Sequence, residues 1–217
     1  MTAERRPVVV AIDGPAASGK GTLARRLAAA LGLRHLDSGL FYRATALRLA
    51  RAGGDASDEA AAAEAAAALT DSDLDDPALR NQDVSALASR VAAIPGVRAA
   101  VLERQRAWGR AMPGAVMDGR DIGTVVFPDA AVKLYLDAEA SERAGRRHRE
   151  LAEKGDAPPE ASVAAELAER DRRDATRAVA PLRPAPDAVI LDSTGLDADQ
   201  VFARALAIVR EKLANRA

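Results

Sequence analysis

The chain has 217 residues, 48 % of them hydrophobic, with 31 Lys plus Arg against 32 Asp plus Glu and a formal net charge of -1. That length and apolar share suit one large domain, or a core domain with a small appendage, and exclude a chain disordered by composition. The charge balance argues against a general nucleic-acid scaffold. Cysteine is absent and only His35 and His148 are present, which excludes disulfides, thiolate metal sites and a histidine-rich zinc centre.

The opening "MTAERRPVVVAIDG" has a basic start but no long apolar stretch, so neither a secretory nor a membrane-spanning segment is expected and a cytoplasmic place is. Residues 8–12 read as a short buried strand: β-branched, apolar and without polar alternation. A glycine-rich loop follows, and then a helix with apolar positions at Leu23, Leu27 and Leu31, stopping at Gly32. Residues 33–37 suggest a second strand ending at Asp37, and a helix closed by Gly53 and Gly54 comes next.

Residues 58–69 form an alanine-rich helical run, with Ser57 as its expected cap. Residues 84–93 and 97–109 read as helices parted by Pro95 and Gly96, and no strand is expected between Ala44 and Pro113. Further strands are predicted at 115–117, at 131–138 and ending at Asp192. Lys133 is expected near a strand end or with its charge reaching water. Two charged helices, 141–154 and about 162–173, precede the last strand, and a terminal helix carries Val201, Leu206, Val209 and Leu213. Strands alternating with helices imply an α/β fold with a parallel sheet covered on both faces.

Four constellations carry chemistry. "GPAASGKG" fits G-x-x-x-x-G-K at Gly14, Gly19 and Lys20, after a strand and before a helix, which is the context a phosphate-binding loop needs. Free amides of a helix's first turn, glycines without a Cβ and the helix dipole favour an anion. Lys20 adds charge where the β and γ phosphates of a nucleotide would lie. Gly14, Pro15, Ala16, Ala17, Ser18, Gly19, Lys20, Gly21 and Thr22 are therefore the candidate ATP phosphate-binding residues, with Thr22 a magnesium or phosphate contact.

"DGRD" follows a strand at the edge where α/β sheets bind ligands. There Asp118 is a candidate magnesium ligand through water, Arg120 a fork for a substrate phosphate, and Asp121 an acceptor toward a sugar or base. In "ERDRRDATR", Arg170, Arg173 and Arg177 share one face if the helix persists, and with Arg143, Arg146 and Arg147 they suit a closing lid that neutralises charge. In "LDSGLFYR", Ser38, Tyr42 and Arg43 offer the mixed polar, aromatic and cationic surface that a second nucleotide needs. His35 and His148 lie in unremarkable contexts, and Trp108 and the scattered aromatics read as core fillers rather than a stacking platform. No general base stands out, as suits phosphoryl transfer between two phosphates, while Asp37 or Asp118 keeps a hydroxyl-acceptor kinase open.

Together "IDGPAASGKGT", "HLDSGLFYR", "DGRDIGTVVFPDA", "VKLYLDA" and "RDRRDATRAVAPL" resemble bacterial cytidylate kinase, in order from about residue 8 to residue 214. The resemblance implies transfer of the γ-phosphate of ATP to CMP or dCMP, Mg2+ with the nucleotide, and a cytoplasmic, usually monomeric enzyme with no nucleic-acid or membrane partner. It also implies a P-loop NTPase fold: a five-stranded parallel sheet with a CMP-binding insert and an arginine-rich lid. Residue by residue, it makes Ser38 and Arg98 cytosine contacts, Arg43 a phosphate-region arginine, Arg120 the holder of the CMP phosphate, Asp121 a base contact and Asp174 a ribose contact. Arg170 and Arg177 become lid-side phosphate arginines, catalytic together with Lys20 and Arg120.

One departure stands out: many members carry a small β-rich insert where residues 71–83 offer no strands, so the CMP region is expected to be short and helical. The implied division is a core of 8–43, 110–140 and 178–217, a reduced CMP-binding region at 44–109 and a lid at 141–177. Rival readings are a P-loop kinase of another monophosphate or small metabolite, and a nucleotide-binding switch without catalysis.

Overall fold

A computed structural model describes residues 7–155 and 158–215; the basic stretch at 1–6 lies outside the described residues. Five strands make one sheet: β1 (Val8–Asp13), β2 (Arg34–Asp37), β3 (Gly114–Gly119), β4 (Val132–Asp137) and β5 (Val189–Asp192), in the order β2-β3-β1-β4-β5. β1 runs parallel to both β3 and β4, and β4 runs parallel to β5. β1 is thus central, and the chain leaves it first toward one side of the sheet and later returns to the other. Ligands bind at the carboxyl ends of strands at such a switch point.

Among the described residues eight α-helices accompany the strands: α1 (Lys20–Leu31), α2 (Gly39–Arg51), α3 (Glu59–Ala67), α4 (Gln82–Val91), α5 (Pro95–Arg110), α6 (Ala140–Glu153), α7 (Glu160–Thr176) and α8 (Ala198–Ala214). α1 and α8 bury Leu23, Leu27, Val201 and Val209 against Val10, Ile12, Val116 and Leu134 of the sheet. Apolar residues spaced three and four apart put these side chains on one helical face. The opposite side of β3 carries Met117, against which Gly109 near the end of α5 presses; a Cβ there would stand 2.8 Å from its Sδ.

The chain forms two compact units. One comprises the chain up to Leu36, Gly109–Thr176 and the chain from Ala180 onward; the other comprises Asp37–Trp108 and Arg177–Val179. In the first, α6 and α7 pack on each other through Ala144, Leu151, Val163 and Leu167, with Ala16 of the glycine-rich loop in the same cluster. The second holds α2, α3, α4 and most of α5, with two 3-10 turns at Asp71–Leu74 and Pro77–Arg80 and no strand beyond the end of β2 among the described residues.

The structure corrects one local expectation and settles two that were open. The cap of α3 is Asp58, whose side chain accepts from the Ala61 amide, because Asp58 stands at the turn from which the free amides project. Of the two places expected for Lys133 the structure takes the first: it is the second residue of β4, and rather than reaching water it is buried and donates to both carboxylate oxygens of Asp187 at 2.8 and 2.9 Å. α7 runs past the expected end near Arg173 and stops at Thr176, so the condition under which Arg177 would share the helix face of Arg170 and Arg173 is not met. Pro181 disfavours helical backbone in the residue before it, and Ala180 takes a left-handed φ of 52° there.

Candidate functional site

The loop between β1 and α1 is shaped by backbone rather than side chains. Gly14 passes so close to β4 that a Cβ would lie 2.1 Å from the Leu136 carbonyl oxygen. Gly19 enters α1 with a φ of 89°, and Ala17 also holds a positive φ, 58°. Successive left-handed residues turn backbone amides inward, which makes an anion-binding concavity at a helix N-terminus. Ser18 is buried, and its Oγ has no hydrogen-bond partner among the described residues. A buried hydroxyl without a partner costs stability unless a ligand oxygen meets it. Lys20 is buried and donates from Nζ to the Pro15 carbonyl at 2.9 Å, so its charge lies over the loop.

The end of β3 brings the next group. Arg120 Nε donates to Asp174 Oδ2 at 2.9 Å, with side chains 15 % and 6 % exposed. Two residues far apart in sequence are thereby joined within the first unit: Arg120 keeps its Nη edge for another anion, one donor of which reaches the Gly119 carbonyl at 3.3 Å. Asp121 is buried and its carbonyl accepts from Val125 and Val126, which closes the π-helical turn Ile122–Val126. Asp118 is buried, with Oδ1 2.8 Å from His35 Nε2, while Oδ2 faces α1, 3.6 Å from where a Cβ on Gly21 would stand. Thr22 Oγ1 accepts from Arg25 at 3.2 Å.

Among the described residues no cluster of three or more acidic or histidine side chains forms a metal cage. The donors near the loop, Thr22 hydroxyl and Asp118 carboxylate, are hard oxygens of the kind Mg2+ takes when most of its shell is water and phosphate. They fit a cation that arrives with a nucleotide.

Of the charged helices, α6 and α7 meet the loop in a way that sequence reasoning missed. Asp171 accepts from the Ala16 amide at 3.4 Å and pairs with Arg143, which also donates to the Ala16 and Ala138 carbonyls. Arg146 reaches the Ser193 carbonyl at 2.7 Å and the Ser193 hydroxyl at 3.0 Å, whereas Arg147 is spent on Glu150 and Arg173 bridges to Glu169. Arg170 lies half-buried on α7. A cavity of about 170 Å³ opens beside the loop, lined in part by Gly19, Thr22, Leu136, Arg146, Leu196 and Val201.

In the second unit, Ser38 is buried at the start of α2. Arg43 pairs with Asp37, whose Oδ1 also accepts from the Gly39 amide at 2.9 Å, so this arginine is fixed rather than solvated. Tyr42 is buried, and the guanidinium of Arg98 lies over its ring at 5.5 Å while donating to the Ala92 carbonyl at 3.3 Å. A cation stacked on an aromatic face is held flat and oriented. Arg177 belongs to this unit also. Trp108 is only half-buried. The signal for His35 and Asp171 lay in the pairing: His35 sits on β2, the strand beside β3 with Asp118, and Asp171 sits one turn from Asp174 on α7.

Comparison with known proteins agrees with this arrangement. A family model described as cytidylate kinase matches residues 10–211. A cytidylate kinase of Paramagnetospirillum magneticum is 56 % identical over 207 residues, covering 94 % of this chain and 98 % of that one. The cytidylate kinase of Granulibacter bethesdensis is 55 % identical over 205 residues, with 94 % and 98 % covered. In fold, a gluconokinase from Sinorhizobium meliloti 1021 superimposes with a TM-score of 0.52 at 18 % identity, covering 98 % of this chain and 97 % of that one. Model and relatives span nearly the whole length, and the chain belongs to the cytidylate kinase family.

Proposed function

We propose that this chain transfers the γ-phosphate of ATP to CMP or dCMP, giving ADP and CDP or dCDP. The observation that carries the reading is the loop around Ser18 and Lys20, with a buried hydroxyl lacking a partner among the described residues, in the same unit as the Arg120–Asp174 pair. One cradle suits a nucleoside triphosphate, the other a phosphate with a neighbouring ribose.

In this reading the loop amides of 14–22 and Lys20 hold the triphosphate, and the cavity beside Leu136, Arg146 and Leu196 takes the adenine. Ser38, Tyr42 and Arg98 orient the cytosine; Arg43 and Arg120 hold the CMP phosphate; Asp121 and Asp174 accept from base and ribose. A CMP phosphate oxygen attacks the γ-phosphorus in line. The bond to the β-γ bridging oxygen breaks, and ADP leaves with that electron pair. No strong base is needed, because the attacking oxygen is already anionic. Lys20, Arg120, Arg170 and Arg177 neutralise the charge that spreads over the transferred group. Mg2+ held with the nucleotide, near Thr22 and water-linked Asp118, supplies charge neutralisation on the phosphate oxygens. Helices α6 and α7 exclude water once both nucleotides are seated. The working state is a cytoplasmic monomer, as the resemblance implies, and among the described residues no single helix is long and apolar enough to cross a membrane.

The test is a coupled ADP-release assay over CMP, dCMP, UMP, AMP, GMP and shikimate. Turnover is expected with CMP and dCMP. No turnover with CMP, or equal or exclusive turnover with UMP, ends the reading.

A further inference from the structure

Asp13 is the last residue of β1, immediately before Gly14, and only 3 % of its surface is exposed. Both its oxygens are used. Oδ1 accepts from the Ile122 amide at 2.8 Å, and Oδ2 accepts from the Gly123 amide at 2.8 Å. Those two amides follow directly on Arg120 and Asp121. A single carboxylate therefore fastens the start of the triphosphate loop to the turn that carries the acceptor-side arginine. Backbone pairing alone ends one step earlier, at Asp13 opposite Gly119.

We propose that Asp13 is a positioning residue: by gripping the Ile122 and Gly123 amides it sets where Arg120 and Asp121 stand relative to the glycine-rich loop. The inference rests on the assignment of CMP as acceptor and deepens it, since it names what aligns the two phosphates. Geometry explains why an aspartate is used. Asparagine would offer one acceptor and turn its amide donors against the second N–H. Glutamate is one methylene longer, and Gly123 is closed in, with the Lys133 stem 3.2 Å and Asp13 Oδ2 3.4 Å from where a Cβ would stand.

The group sits at an electrostatic cost. Burial pushes its carboxyl up to about 7; the Gly123 and Ile122 amides pull it down, Asp121 pushes it further up, and Lys20 pulls it down. Tyr135 on β4 feels the same carboxylate. Carboxyls raised this far by burial cluster at functional sites.

The experiment compares wild type with Asp13→Asn and Asp13→Glu, reading kcat and KM for CMP at saturating ATP, ATP affinity by calorimetry, and melting temperature. For both variants kcat/KM for CMP is expected to fall about tenfold to a hundredfold, the range of one buried hydrogen bond lost. ATP affinity is expected to stay within about twofold of wild type. Unchanged CMP kinetics in Asp13→Asn overturns the proposal, and so does a parallel loss of ATP affinity, which would mark a merely structural role. If the variants do not fold, the wild-type amides of Ile122 and Gly123 serve instead. Both are expected to show a through-hydrogen-bond coupling to the Asp13 carboxyl carbon, and its absence at either one overturns the clamp. That readout needs no turnover, so a wild type that ignores CMP strikes the acceptor assignment and leaves the clamp to be judged alone.

Discussion

Arg120 is oriented by a carboxylate more deeply buried than itself, so its fork is preset before any substrate arrives. Arg120→Ala is expected to lower kcat/KM for CMP by about a hundredfold or more while ATP binding survives, because only the acceptor-side charge is removed. Single-turnover rates beside ATP calorimetry check this. Ala17 holds a left-handed backbone that costs an L-residue about 1 kcal/mol. Ala17→Gly is therefore expected to stabilise the fold by about 1 kcal/mol, readable in a urea titration. Asp13 gives a pH signature with a definite sign. Its folded pKa, about 7, lies above the ordinary 3.8, so the folded state binds the extra proton between these values. Stability contributed by this group is therefore full below pH 4 and declines as pH rises through 7, by a total on the order of 4 kcal/mol. Relative to Asp13→Asn, wild type is expected to lose ground across that window in chemical denaturation.

Helix α7 carries a second carboxylate with a double duty. Asp171 joins Arg143 of α6 to the Ala16 amide, with side chains 21 % and 10 % exposed, so the contact is shielded enough to count. Asp171→Ala is expected to cost about 1–3 kcal/mol by stranding Arg143, measured as a lowered denaturation midpoint. Most elements were legible in the sequence because their signals are local. The Val8–Asp13 run before a glycine loop, the stop at Gly32 and the proline punctuation at Pro158 each act within a few residues. The details left open are those decided by distant partners. Lys133 stays inside because Asp187, from the turn before β5, meets it there. His35 gained a role only when β2 and β3 came together, and periodicity carries no trace of that. The phosphate loop was readable in the same local way. Asp13 was not, since nothing in "AIDG" announces amides more than a hundred residues away.

The molecule places its anion-handling groups in two units, the loop, Arg120 and Asp174 in one and Ser38, Arg98 and Arg177 in the other. The make-up of the second unit has a further outcome. Asp37–Trp108 is one unbroken stretch whose backbone hydrogen bonds, past the end of β2, are helical and turn bonds closed within a few residues, while the sheet of the first unit ties together strands from both ends of the chain. Regions built from such short-range bonds open at lower free energy and as a block. In deuterated solvent, the amides of α2, α3 and α4 are expected to exchange as a cohort well before those of β1, β3 and β4, so the second unit would rehearse unfolding while the strands flanking the glycine-rich loop stay whole.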